Sequence, residues 1–418
     1  MNNFNQNNGE NSQNQTNHQP VQQPPYNEEQ HIGSVSSDYN PYRDDLSVFN
    51  EIKSENPIYI YGPEQLPNEA DQTYAIRKCS EWIYVNAESK KKLKKSSTYM
   101  GAFVLLYIAL SFAISFALQF CLALLGNSAF AESLIDNFSM VSQYIIIFPI
   151  IFILANIRKK HKVKTFFKKP KMSGLSIFKW SVIALGLTYA VALIFDAIFS
   201  ILSQFGLNVN DLSLPVPTSP LDLFVYAIVV AVCAPIFEEI LFRGIFLTNH
   251  MKFGCWHAAI VTGVLFGLIH MNHQQMFFAT ALGILFAYID IKAGSIIPSI
   301  IAHVAVNLYS VINTVLLSFT NYNELLESGS LDAMLDAPMI VLALIGIFNI
   351  LVFIFIAVAA ILLIVEIVSS PKSFKLPKGS SGLSGIEKTK AFISSPVMIL
   401  TLVVMGFLIF LNSFMPLA

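Results

Sequence analysis

Charge is scarce in this chain of 418 residues: 13% are Asp, Glu, Lys or Arg, about half the roughly 25% usual in soluble domains. An ordinary soluble globular protein is thereby excluded. An excess of either sign is also missing. The formal net charge is -1, so no basic field points to nucleic acid. Cysteine is sparse and scattered: Cys79, Cys121, Cys233 and Cys255 form no CxxC. That excludes a disulfide framework and a cysteine-based zinc site. No long apolar stretch precedes about residue 99, so no signal peptide is expected and the first membrane segment acts as its own insertion signal. HExxH, Walker A and GxGxxG are all absent, which leaves zincins, site-2-type intramembrane metalloproteases and nucleotide-driven transport without support.

What fills the chain instead is apolar. Hydrophobic residues make up 54% of it, 34 of them Phe, and the mean hydropathy is +0.57. Such a chain does not stay solvated, so it is not mainly disordered. The average conceals two parts. Residues 1–98 form a polar, Asn/Gln-rich tail, expected to be largely disordered and cytoplasmic and suited to binding an unknown partner. Its residues 2–30 are a low-complexity tract unable to bury enough apolar surface to fold. Residues 40–85, with Tyr59, Tyr61 and Trp82, have room for a short motif or a surface helix. Residues 99–418 form the second part, a run of apolar blocks at about 99–125, 139–157, 177–204, 221–249, 256–270, 276–292, 295–318, 337–366 and 394–416. Most reach the ~20 residues that a helix needs to cross ~30 Å of hydrocarbon. The expected fold is all-α, a polytopic transmembrane helical bundle of about eight or nine membrane segments. Blocks 256–270 and 276–292 are the short ones, at ~21–24 Å each. The polar tip from His270 to Gln275 joins them, and the pair is predicted to be re-entrant or to be two short helices around a wet cavity.

Loop charge orients the bundle. Lys90, Lys91, Lys92, Lys94 and Lys95 precede the first block; Arg158, Lys159, Lys160, Lys162, Lys164, Lys168, Lys169 and Lys171 follow the second; Lys372, Lys375, Lys378, Lys388 and Lys390 follow the eighth. The breaks holding Glu132 and Asp136, Asp211, and Glu324, Glu327, Asp332 and Asp336 contain no Lys or Arg. By the positive-inside rule the basic breaks are cytoplasmic, with the N-terminus inside and the C-terminus outside, in a bilayer expected to be the plasma membrane.

Ionisable residues inside hydrocarbon cost about 2.5–3.5 kcal/mol each, so each one is informative. The block at 221–249 carries Glu238, Glu239 and Arg243; the next ends in Phe266 and His270; the block at 295–318 holds His303 and Asn307; and Asp196 lies at 177–204. Glu239 and Arg243 are four apart on one helix face and can pair, either as a structural ion pair or within a site. Glu238 points ~100° away with no partner at i+4. A carboxylate so placed is a candidate general base. His303 and Asn307 share a face and could equally be an interhelical clip. His270 by itself reads as a polar residue at a helix end. Asp196 reads as a cavity or packing residue. Measured along straight helices, the depths of Glu238, His270 and His303 bracket the inner half of the bilayer without coinciding, and tilt has to supply the difference.

The ordered trio EExxxR (Glu238, Glu239, Arg243), FxxxH (Phe266, His270) and HxxxN (His303, Asn307) resembles the CPBP family of type II CAAX prenyl endopeptidases, bacteriocin-processing and immunity-type proteins, and proteins like lysostaphin resistance protein A. The resemblance covers about residues 180–320. It implies an intramembrane endopeptidase cutting membrane-associated proteins or peptides, with Glu238 and His270 activating water. His303 and Asn307 would hold the oxyanion, while Glu239 and Arg243 orient the site. The family was long classed as metallopeptidases, and the residues leave the metal open. Glu238, His270 and His303 could ligate a divalent ion such as Zn2+, or act without metal as a Glu–His general base with an Asn donor. The alternative is a non-catalytic multi-pass protein (an immunity factor, transporter subunit or scaffold) whose polar residues hold helices together. A further string, Gly379–Ser380–Ser381–Gly382, matches the GxSG of rhomboid-type serine proteases, but its Lys/Ser/Gly-rich loop offers no rigid helix for a nucleophile.

Overall fold

The computed structural model describes residues 69–126, 128–159, 163–206, 216–217, 219–324, 337–377, 379 and 381–414. The low-complexity tract, its expected disorder and its partner-binding role lie outside the described residues. Every described element is helical. In chain order we label α1 (Glu69–Leu125), α2 (residues 129–159), α3 (Gly174–Gln204), α4 (residues 220–250), α5 (Cys255–Leu268), α6 (His273–Ala293), α7 (Ile297–Leu317), α8 (Met339–Ser369), α9 (Gly385–Ile393) and α10 (Pro396–Phe414). Among the described residues, eight helices are long and apolar enough to cross a membrane, and α5 is apolar but shorter. Hydrocarbon forces this outcome, because a backbone without water must satisfy its own N–H and C=O groups. The protein is an all-α, multi-pass membrane bundle.

Helix starts follow local chemistry. Ser128, Ser173, Ser219, Asn272 and Ser384 sit in extended geometry before α2, α3, α4, α6 and α9, and each side chain accepts the N–H three residues on. Such a cap satisfies one of the donors that a helix start leaves free. At the far end of α6, Gly294 takes φ 66, a left-handed helix stop.

Three expectations change. The tail–body boundary at 98/99 is no break in the backbone, since α1 runs unbroken from Glu69 to Leu125. Lysines mark where hydrocarbon ends, yet they are good helix formers, and Lys92 pairs with Glu88 one turn back. The break holding Glu132 and Asp136 is likewise helical, as the first turns of α2. Finally, α6 starts at His273 and has 21 residues, enough to cross, so the pair α5–α6 combines one short helix with one full-length helix. Asn272 caps α6 and draws His273, Gln274 and Gln275 of the polar tip into its first turn.

Two helix contacts position the site. Gly263 and Gly267 of α5 form a GxxxG face against α6. A Cβ on Gly283 would come 2.7 Å from the Gly263 Cα, and one on Gly267 would collide with Thr280. Small residues let the two backbones touch. α3 packs against α6, α7 and α8, and α10 and α9 pack on α1.

Candidate active site

α4 is interrupted by two π-helical stretches, Val229–Cys233 and Ile240–Leu247, with a short α-turn, Ala234–Glu239, between them. Wide turns of this kind often accompany functional sites. Glu238 and Glu239 end that α-turn and Arg243 lies in the second wide stretch. The two carboxylates leave the helix ~100° apart and clasp a single imidazole from α7. His303 Nδ1 lies 2.9 Å from Glu239 Oε1, and His303 Nε2 lies 3.9 Å from Glu238 Oε2. A carboxylate only accepts, so with Glu239 ionised Nδ1 carries the proton of that bond. The 3.9 Å separation is too long for a direct hydrogen bond.

On its other side, Glu239 meets Arg243, Oε2 to Nε at 3.0 Å, with the N–H not aimed along the contact. Both side chains are essentially sealed from solvent, at 0% and 1% exposure. Arg243 Nη2 donates to the Gly283 carbonyl of α6 at 3.3 Å, and the guanidinium lies 4.5 Å from the Phe266 ring centroid. Phe266 is the hub of the centre. Its ring also meets His303 edge-on at 5.8 Å and His270 at 5.3 Å.

His270 follows the end of α5 and donates Nδ1–H to the Phe266 carbonyl at 2.8 Å, since that oxygen can only accept. Its Nε2 is then the basic nitrogen of the neutral ring, and the ring is within electrostatic reach of Glu238. Asn307 is placed differently from the rest. Its amide donates to the Val230 carbonyl, inside the first π stretch, at 2.9 Å, leaving one N–H for other use. Asp196, expected as a cavity or packing residue, is exposed on α3. Ser381 is buried and donates to the Phe253 carbonyl, while Ser380 lies outside the described residues.

Several site neighbours were not apparent from sequence. Asp290 of α6 is fully buried and holds the start of α7, accepting from Ser299 Oγ at 2.6 Å and Ser299 N at 3.2 Å. Ser299 is one turn before His303, so Asp290 fixes the helix that presents the imidazole. The available signal was an aspartate in an apolar block. Tyr144 packs 5.8 Å from Phe237, and Tyr107 donates to Gln143 Oε1 at 2.9 Å. Both tyrosines are within electrostatic reach of Glu238. Gln143 and Tyr144 lie in a third π stretch, Gln143–Ile147. The turn after His270 is held from α10: Asn412 donates to the Met271 carbonyl at 2.7 Å and Ser413 bonds His273 at 2.8 Å. Met271 has φ 53, a left-handed conformation unusual for a side chain of its size.

Among the described residues, no three His, Cys, Asp or Glu side chains are grouped to hold a metal ion. Glu238, His270 and His303 are not grouped in this way as placed.

Fold and site together define a multi-pass helical membrane protein with a buried Glu–Arg–His centre. Residues 220–309 match the family model described as "Type II CAAX prenyl endopeptidase Rce1-like", a segment that contains all six candidate residues and lies within the span of the motif resemblance. The chain is also 34% identical over 86 residues to the Bacillus subtilis (strain 168) protein named "Putative membrane peptidase YdiL", an overlap of 20% of this chain and 35% of that relative. It thus spans about a third of the relative's length. No solved structure matches the chain. Over residues 220–309 the chain is therefore similar to the Rce1-like membrane proteases.

Proposed function

We propose that the protein is an intramembrane endopeptidase, CAAX-protease-like, that hydrolyses peptide bonds of membrane-associated proteins or peptides. The observation that carries this reading is the clasp of His303 between Glu239 and Glu238, inside an apolar bundle and beside His270. Amide hydrolysis needs a base for water, donors for the developing oxyanion and an acid for the leaving amine. Glu238, 19% exposed where Glu239 is sealed, is the carboxylate open to a water molecule. Glu238, with the basic Nε2 of His270 beside it, takes the water's proton and passes it on to the leaving amine as the C–N bond breaks. His303 then meets the tetrahedral oxyanion through Nε2. With its Nδ1 proton committed to Glu239, a second proton on Nε2 is what lets it donate to the oxyanion. The second amide N–H of Asn307 serves as a further donor, and Arg243 fixes Glu239. A divalent ion such as Zn2+ is not needed in this route. We place the protein in the plasma membrane with its N-terminus cytoplasmic, as the basic loops suggest.

The test uses the full-length protein reconstituted in liposomes with membrane-embedded reporter peptides, scoring intact against cleaved product. Glu238→Ala and His270→Ala should each stop cleavage while the protein accumulates and melts normally. Unchanged cleavage would remove the catalytic reading. One observation favours the non-catalytic alternative: Arg243 and Asn307 also bond backbone carbonyls of other helix segments, Gly283 and Val230, as structural clips do. If these residues only clip helices together, their loss lowers stability and no cleavage product exists to lose.

A further inference from the structure

At the end of the bundle that carries the basic loops, away from the Glu239 centre in sequence and motif, lies a cavity of about 800 Å³ between α5, the loop after α8, α9 and α10. That volume falls in the ~300–1,000 Å³ range of small-molecule sites. One wall is a single face of α5: Trp256, Ile260 and Val264 recur every fourth residue. These three are 37%, 47% and 36% exposed, so the cavity opens sideways toward hydrocarbon and not only toward water. Leu383, Phe392 and Leu402 close the far side.

The cavity also has a polar end. Lys388 of α9 reaches it, as does His257. His257 ends a relay that starts on α1: Ser96 Oγ lies 3.1 Å from His250 Nδ1, and His250 Nε2 lies 3.1 Å from His257 Nδ1. The outer nitrogen, His257 Nε2, is buried and has no hydrogen-bond partner among the described residues. A buried nitrogen of this kind calls for a ligand or an ion to complete it. Run from Ser96 outward, the relay makes His257 Nε2 a donor. Burial also holds the Lys388 ammonium below the ordinary lysine range, so an anion beside it would stabilise a charge that the surroundings disfavour. The α5 helix begins here at Gly254, with its positive dipole end on the cavity. Beyond the lining, Lys92 and Lys95 are within electrostatic reach of Lys252, two residues before Gly254, and Glu387, next to Lys388 in sequence, pairs with Lys90 at 2.9 Å. A cationic headgroup finds no partner in this setting, whereas an anionic one finds several.

We propose that this cavity is a binding site for one anionic phospholipid of the surrounding leaflet, with an acyl chain along the Trp256–Ile260–Val264 face and its phosphate at Lys388 and His257. The lateral opening selects a lipid over a soluble anion, and Lys388 with the nearby lysines selects an anionic headgroup over a zwitterionic one.

The full-length protein in mild detergent is titrated with phosphatidylglycerol, phosphatidylcholine or inorganic phosphate, following retained lipid by native mass spectrometry and the thermal midpoint. Phosphatidylglycerol should be retained and raise the midpoint, phosphatidylcholine should do so at least about tenfold more weakly, and phosphate should do nothing. Lys388→Gln, at a half-exposed helix position, should weaken phosphatidylglycerol about tenfold and abolish its preference over phosphatidylcholine. Gly385→Leu should exclude both lipids, because Gly385 lines the cavity and a Cβ there meets nothing within 4 Å, leaving room for the added side chain beside the lining. Equal response to the two lipids in the unmodified protein, a full response to phosphate alone, or full phosphatidylglycerol retention in Lys388→Gln overturns the proposal. So does unaltered lipid retention in Gly385→Leu.

Discussion

Replacing Arg243 by Met tests whether charge holds the Glu239 centre together. The two side chains are 1% and 0% exposed, with their nearest charged atoms 3.0 Å apart. With an effective dielectric of 20, unit charges at that separation attract by about 5–6 kcal/mol. Desolvation of both ions offsets much of that attraction, so the pair itself contributes far less. Breaking it from one side is another matter. Arg243→Met strands a carboxylate in a sealed apolar site and should cost about 3–5 kcal/mol. Met has a similar reach and keeps contact with the Phe266 ring, so little of the loss comes from an empty cavity. Adding Glu239→Gln removes the stranded charge and leaves an amide oxygen to accept the His303 proton. The double variant should then lie within about 1–2 kcal/mol of the unmodified protein, a coupling of about 2 kcal/mol or more. The measurement is reversible unfolding in mild detergent for all four proteins, followed by intrinsic fluorescence. A single variant that loses less than about 1 kcal/mol, or a double variant that loses the sum of the two singles, refutes charge pairing as the cause.

Four further outcomes follow from the same geometry. Glu238→Gln, which keeps shape and removes basicity, should lower the cleavage rate by at least about a hundredfold with an unchanged thermal midpoint; a rate within threefold of normal removes Glu238 as the base. Asn412→Ala deletes the donor to the Met271 carbonyl and should cost about 1 kcal/mol in unfolding experiments while slowing cleavage more than that stability loss explains; Met271→Gly, which accepts the left-handed φ without strain, should restore the rate. Cleavage should continue after dialysis against a strong chelator, and activity lost to chelation and regained with Zn2+ would show that the ligand set assembles during the reaction. Glu387, drawn down to about 2 by Lys90, by the Ser384 N–H and by the Ser384 hydroxyl, contributes to the α9 start above its ordinary carboxylate range. That support should fade as pH falls from about 4.5 toward 2, seen as faster backbone hydrogen exchange in α9 after correction for intrinsic pH dependence; an α9 protected equally throughout that window denies the capping role.

How much of this molecule can be read from its sequence depends on how rare each signal is in hydrocarbon. The apolar blocks coincide with helices because a lipid-exposed backbone has one economical conformation, and all nine expected blocks contain an apolar helix. Composition marks where hydrocarbon ends and not where a helix ends. That is why α1 continues through the lysine-rich residues before the bilayer, and why α2 takes in Glu132 and Asp136. Five of the six candidate residues stand out because ionisable groups inside apolar segments are few, Asn307 joins them through its i, i+4 spacing from His303, and the same spacing predicts the Glu239–Arg243 contact that is present. The apparent mismatch of depth between Glu238 and His303 came from treating α4 as a straight rod of ordinary length. It lies in a 34-residue span, Pro220–Phe253, with two wide turns, and its Glu238 comes within 3.9 Å of His303. Residues that position the site escaped notice for a different reason. Tyr107, Tyr144 and Asn412 are hydroxyls and amides, common enough in membrane helices to carry no signal alone. The Asn412 partner is Met271, 141 residues away, a separation that no local periodicity encodes. Asp290 is the exception, since a lone aspartate in an apolar block is as rare as Glu238. Its role is still not legible locally, because its partner Ser299 lies nine residues on, beyond a helix break. A search for functional residues in such a chain therefore gains most by treating each buried carboxylate as needing a donor, whether or not a cation lies at helical spacing.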